Sequence, residues 1–203
     1  MKKIFFYVLI IILIISILFL AYKLLKLQKN HTIITAIDSA NRAYTDSAMN
    51  NFHIRVETKT SSPFEENKEQ TNTIKEIYRK GLVVKSITTE NENTFVHYQN
   101  FDTNESYFFN FQDNTKIGYG KSVINEFLKF LELYYANMPK VEISDTDEYY
   151  IVNFPTSIYY FNRENYRIEK IEVFSDIKIW SETTYTYFDN EEITDEMVSM
   201  PEI

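Results

Sequence analysis

Thr73–Phe111 reads TIKEIYRKGLVVKSITTENENTFVHYQNFDTNESYFFNF. Four strand candidates lie in it: Thr73–Lys80, Leu82–Thr89, Asn93–Gln99 and Ser106–Phe111. Gly81, Glu90-Asn91-Glu92 and Phe101-Asp102-Thr103-Asn104 separate them, and these are turn compositions. Short strands at so close a spacing predict an antiparallel meander. Upstream, Phe52, Ile54 and Val56 alternate with His53, Arg55 and Glu57. That period of two marks a half-buried strand. Thr60–Asn72 between them is polar, contains Pro63 and reads as an exposed loop.

Downstream the period changes. Ser122 can cap a helix over Val123–Asn137, with Ile124, Phe127, Leu128, Leu131 and Tyr135 on one face and Asn125, Lys129 and Glu132 on the other. Pro139 ends it. Such a stripe predicts a helix lying on the sheet. The meander then resumes as Val141–Ser144, Tyr149–Phe154, Ile158–Asn162, Tyr166–Phe174 and Ile177–Phe188. In Tyr166–Phe174 the apolar phase slips by one residue, which predicts a bulge near Glu169–Lys170 and hence a bent sheet. The expected fold class is α+β and mainly β. It is a curved antiparallel sheet, or half-barrel, with one or two packed helices, preceded by an N-terminal transmembrane helix.

That helix begins at Ile4. Ile4–Tyr22, IFFYVLIIILIISILFLAY, holds 19 residues without a charge. As a helix it rises about 28 Å, close to the hydrocarbon core of a bilayer. Lys2-Lys3 and Lys23 bracket it, and Tyr7 and Tyr22 sit near its ends. A cleaved signal peptide has a shorter apolar region and small residues at its cleavage site. Here Ala-Tyr-Lys-Leu-Leu-Lys follows instead. The expected layout is a tail over 1–3, an anchor over 4–22, a stalk and first helix over 23–51, and a β-rich domain over 52–203 with the inserted helix near 122–138. Ile33, Ile34, Ile37 and Ala40 give the stalk an apolar face. A signal-anchor of this kind leaves the C-terminal domain extracytoplasmic, in a single-pass cell-membrane protein.

Charge excludes one class of partner. Residues 1–29 carry five lysines and no acid, which leaves 16 basic against 29 acidic residues in 30–203, a net of −13. Such a domain repels phosphate backbones, so nucleic acid is not an expected partner. There is no cysteine, and with it go disulfides, thiolate nucleophiles and a lipid-modified N-terminal Cys.

Catalytic signatures are missing too. Phosphate loops and nucleophile elbows need glycine, and the chain has only Gly81, Gly118 and Gly120. His31, His53 and His97 lack metal-ligand spacing. Asp145, Asp147 and Glu148, like Glu191, Glu192, Asp195 and Glu196, bunch without the calcium-loop pattern, and read as solvated turns. No enzyme, metal or cofactor is expected. What stands out is 16 Tyr and 16 Phe, set on both faces of several strands. Tyr107 and Phe109 alternate with Phe108, for example. One core does not need both faces, so some of these rings are free to line an apolar groove.

The end of the chain carries the most specific pattern: Tyr185-Thr-Tyr-Phe188, Asn190, Ile193-Thr-Asp195, Met197 and Pro201, preceded by two strands around Asn162-Arg-Glu-Asn165. It resembles the closing strands and tail of the LolA-like lipoprotein-carrier family. That resemblance implies an incomplete curved barrel lidded by helices, with a cavity for acyl chains, in a bacterial cell envelope. The chain departs from the family in its uncleaved anchor, which rules out shuttling, and in Met197 where a large aromatic is usual. Two roles follow. One is a binding module holding a lipid or acyl ligand in a groove formed by Phe109, Phe111, Tyr150, Tyr160, Trp180 and Tyr187. The other is a docking or regulatory domain with a filled core that binds an envelope protein partner.

Overall fold

The computed structural model describes residues 2–46, 51–61, 70–118, 129–175, 178–189 and 191–202. They fall into two compact units, Met1–Ile37 and Asp38–Ile203.

The first unit is helical, formed by α1 (Lys2–Asp46), which runs on into the second. Within α1, Tyr7–Ala40 is long and apolar enough to cross a membrane, with a mean hydropathy of 2.9 over its most apolar window. From Tyr7 to Leu27 its apolar side chains are exposed on every side, Leu18 at 64% among them. A helix apolar all round suits lipid, not water. The hydroxyls of Ser16, Thr32 and Thr35 are satisfied within the helix. Ser16 donates to the Ile12 carbonyl at 2.8 Å, and Thr35 to that of His31 at 2.8 Å. Of the expected stalk face, Ile33, Ile34 and Ile37 are buried. The stalk was expected to run to Asn51. α1 ends at Asp46, and residues 47–50 lie outside the described residues.

The second unit carries eleven strands: β1 (Phe52–Thr60), β2 (Thr71–Lys80), β3 (Val83–Glu90), β4 (Asn93–Asn100), β5 (Glu105–Asn110), β6 (Thr115–Gly118), β7 (Glu142–Asp145), β8 (Tyr149–Asn153), β9 (Ser157–Asn162), β10 (Ile168–Ser175) and β11 (Lys178–Tyr187). They form one curved, open antiparallel sheet in the order β6-β5-β4-β3-β2-β1-β11-β10-β9-β8-β7. Two meanders therefore run outward from a central β1–β11 pair, in which Val56 faces Tyr185. The turns behave as their composition requires. Gly81, Asn91, Asn104 and Asn114 all adopt left-handed backbone, with φ between 50° and 58°, which glycine and asparagine tolerate best. β6 was not anticipated. Its four residues are all exposed, too few to show a period.

The bulge sits where the slipped phase put it. The β10–β9 register shifts between Ile168 and Lys170, which turns Ile168 to the same side as Ile171 and Val173. A second shift lies between Val173 and Phe174, opposite Trp180.

α2 (Lys129–Asn137) leads into a 3-10 turn at Met138–Lys140. The first half of the predicted helix, with Ser122, Ile124, Phe127 and Leu128, lies outside the described residues. The predicted stripe through Tyr135 needs correction. Tyr135 is half exposed, while Phe130 and Tyr134 are buried. The reason is a ring cluster: Phe130 meets Phe154, Tyr159 and Phe161 at centroid distances of 5.8, 5.3 and 4.9 Å, all edge-on. We call the sheet face bearing these rings the inner face.

Candidate functional site

The ladder registers assign every strand residue to a face. One inner-face row runs Tyr187, Ile54, Ile77, Ser86, His97 and Phe108 across β11, β1, β2, β3, β4 and β5. Around β1 this face is apolar, with Ile54, Val56, Ile77 and Val84 buried together beneath Phe52, Tyr185 and Tyr187. Through β8–β10 it continues as Val152, Tyr159, Phe161, Ile171 and Val173. Val152 and Phe161 are buried, but Phe52, Tyr150, Tyr159, Ile171, Val173, Tyr185 and Tyr187 keep part of their surface accessible. They form an apolar wall that its own core does not wholly use.

The six residues expected to line a groove do not converge. Tyr150 and Tyr187 are on the inner face. Tyr150 stacks on Tyr166 with centroids 5.4 Å apart. Tyr187 donates its hydroxyl to the Ile168 carbonyl at 2.8 Å. Phe109 and Tyr160 are on the opposite, outer face. Phe109 is fully buried there with Val96 and Tyr98, and Tyr160 donates to Glu172 at 2.9 Å. Burial and that hydrogen bond push the Tyr160 phenol up from its ordinary value. Phe111 sits in the β5–β6 turn, largely exposed. Trp180 lies at the second bulge. The residues with partly open apolar surface that sequence reasoning missed, Ile171, Val173 and Tyr185, share the strand parity of residues it named or paired. The signal was alternation, and it needed the register.

The outer face explains the surplus of rings. The tail from Phe188 onward lies across it. Glu191 meets His53 on β1, Asp195 meets Lys80 at the end of β2 at 2.7 Å, and Met200 packs on the Val96–Tyr98–Phe109 cluster. Lys116 on β6 reaches the Met200 sulfur at 3.5 Å. Ile193 and Val198 are buried along the way. Phe109 and Tyr107 thus belong to a second, smaller core beneath the tail.

His53 anchors the start of that tail. Its Nδ1 is bonded to Glu191 and its Nε2 to Glu76 at 2.5 Å. Tyr78 and Phe188 stack on its two sides, each with centroids 4.3 Å away. Burial pushes the Tyr78 phenol up, and the Glu76 and Glu191 carboxylates push it further. An open depression beside it is lined by Arg55, Asp189 and Glu191. With a carboxylate on each ring nitrogen, the imidazole clasps β1 to β2 and to the tail. Among the described residues no group of three or more His, Asp or Glu side chains is placed to hold a metal. His53→Ala should lower stability by about 1–2 kcal/mol in thermal melts, since it strips buried partners from two carboxylates and two rings. A loss under a few tenths would show that the clasp holds nothing.

No family model and no curated protein matches the chain. Among solved structures it is similar to a DUF1329 family protein from Desulfovibrio piger, with a TM-score of 0.39 and 7% identity over 82% of this chain and 97% of that one. It is also similar to a domain from Vibrio parahaemolyticus assigned to outer membrane lipoprotein-sorting proteins, with a TM-score of 0.35 and 9% identity over 79% of this chain and 93% of that one. Neither likeness is close enough to assign a family.

Proposed function

We propose that the chain is a membrane-tethered, non-enzymatic binding module that holds a lipid or acyl chain against the inner face of its sheet. α1 serves as an uncleaved single-pass anchor, and the acidic domain stands on the extracytoplasmic side. One observation carries the ligand reading. The inner face is lined from β8 through β11 to β1 by side chains such as Tyr159, Ile171, Val173 and Tyr185 that are apolar yet only partly buried. Apolar surface of that kind gains roughly 25 cal/mol per Å² when a chain covers it. The polar groups of a catalytic site are engaged otherwise, His53 with two carboxylates and His97 with Ser106.

The test places p-benzoylphenylalanine at Tyr185, on the inner face, or at Tyr149, on the outer face, in the full chain in bacterial cells. Irradiation should give lipid adducts at position 185 and few at 149. Equal yields, or none at 185, would overturn the ligand reading. The chain lacks cysteine, so Asp102→Cys in an exposed turn also reports topology. A membrane-impermeant maleimide should label it in intact cells. Labelling only after lysis would put the domain in the cytoplasm.

A further inference from the structure

An open sheet has two edges, and here they are β6 and β7. Among the described residues each pairs on one side only, β6 with β5 and β7 with β8. The backbone groups on the other side are a template for a further strand. Both edges are four residues long and lie open. Every residue of β6 is exposed, Ile117 at 47%. In β7, Glu142, Ser144 and Asp145 are exposed and Ile143 is partly so. We propose that the β6 edge of one copy of this chain pairs with the β7 edge of a second copy in the same membrane, so that the sheet continues from copy to copy. Such a contact is independent of the acyl-chain reading.

Face and charge select this pairing over the alternatives. The ladders place Ile117 on the inner face, opposite Phe108, and Lys116 on the outer face, opposite Phe109. They place Ile143 on the inner face, opposite Val152, and Glu142 and Ser144 on the outer face. With Ile117 set against Ile143, an exposed isoleucine gains an apolar neighbour. Lys116 then faces Glu142 directly if the two strands run parallel, and diagonally if they run antiparallel. A lysine spans either distance. Neither charge is neutralised within its own copy. Lys116 meets the rings of Tyr107 and Phe109, at 4.2 and 5.3 Å, and the Met200 sulfur, but no carboxylate among the described residues. Glu142 has no ion-pair partner among them either. Two β6 edges together would bring lysine near lysine, and two β7 edges glutamate near glutamate, which is unfavourable. Only the unlike edges match. A contact between unlike edges is head to tail, so it repeats into a row or closes into a ring. Four residues a side bury far less than a stable interface in solution, which takes about 1,200 Å² or more. The pairing therefore relies on the anchor, which confines the copies to one membrane and raises their effective concentration.

The test uses full-length chains in bacterial membranes. The chain has no cysteine of its own, so two differently tagged copies can carry one each, Gly118→Cys in the first and Ser144→Cys in the second. A β-carbon at Gly118 comes no closer than 3.7 Å to the Tyr107 ring, an ordinary contact that the fold tolerates. A bis-maleimide with a reach of about 8 Å spans opposite and diagonal neighbours alike. The product carrying both tags should form in several times the yield obtained when Asp102→Cys, in the exposed β4–β5 turn, replaces Gly118→Cys. Equal yields would overturn the edge contact. Adding Lys116→Glu to the first copy should lower the yield about fivefold, because an attractive pair becomes a repulsive one. Glu142→Lys in the second copy should then restore it. If Lys116→Glu acted only by loosening the packing on Met200, a change in the other copy could not repair it, so a missing rescue would also overturn the pairing.

Discussion

Replacing Phe161 with alanine should lower the unfolding midpoint of the chain by on the order of 10 °C. Phe161 is 1% exposed and sits at the crossing point of the domain. On its own strand it stacks on Tyr159, with centroids 6.3 Å apart. From above it takes the edge of Phe130, which brings α2 onto the sheet. Across the ladder it faces Tyr150 on β8 and Ile168 on β10. Removing a ring so enclosed loses its transfer energy and leaves a cavity that a sheet cannot close, about 3–5 kcal/mol in total. At roughly 2–4 °C per kcal/mol for a domain of this size, the midpoint falls by that much. Thermal melts followed by near-UV circular dichroism in detergent would measure it. A shift below about 3 °C would show that α2 is held by something other than this cluster. Tyr135→Ala, on the exposed side of α2, should change the midpoint by little.

The contrast between those two residues shows where sequence reading reached and where it stopped. The strands were legible because a half-buried sheet imposes a period of two, and Phe52–Val56 shows it without ambiguity. The hairpin tips were legible because left-handed backbone selects Gly and Asn. Even the bulge at Glu169 was legible, since inserting one residue flips the apolar phase. What local pattern cannot carry is pairing between distant segments. Nothing in Phe52–Thr60 announces that β1 joins Lys178–Tyr187, yet that pair fuses the two meanders and decides which ring shares a surface with which. Hence Tyr150 and Tyr160, each a good groove candidate by composition, point to opposite sides. The face of α2 was misjudged for the same reason: Phe130, not Tyr135, has three rings to meet. The excess of aromatics on both faces was visible in the sequence. Its cause, a tail folded back over β1–β6, was not, because the tail is acidic and shows no period of its own.

That tail should prove structural. Ending the chain after Asp189 should cost about 3–5 kcal/mol and make the chain associate more strongly than the full-length protein does. The cost comes chiefly from two buried side chains, Ile193 and Val198, each worth about 1.5–3 kcal/mol when fully covered. Loss of the Glu191 contact to His53 adds to it. The Lys80–Asp195 pair adds little, since Asp195 is 93% exposed and water screens such pairs. Asp195→Asn alone should therefore leave the midpoint within about 1–2 °C. Association follows from what is uncovered. Val96, Tyr98 and Phe109 lie on the outer face under Met200, with Val83, Ile87 and Tyr107 around them, and a contiguous apolar patch on a sheet seeks another surface. Sedimentation in detergent should show the shortened chain as dimers or larger species, and Val198→Asp in the full chain should reproduce the loss of stability in part. If the shortened chain melts and sediments as the full chain does, the second core beneath the tail contributes nothing. Phe109 would then be free to take part in binding on the outer face.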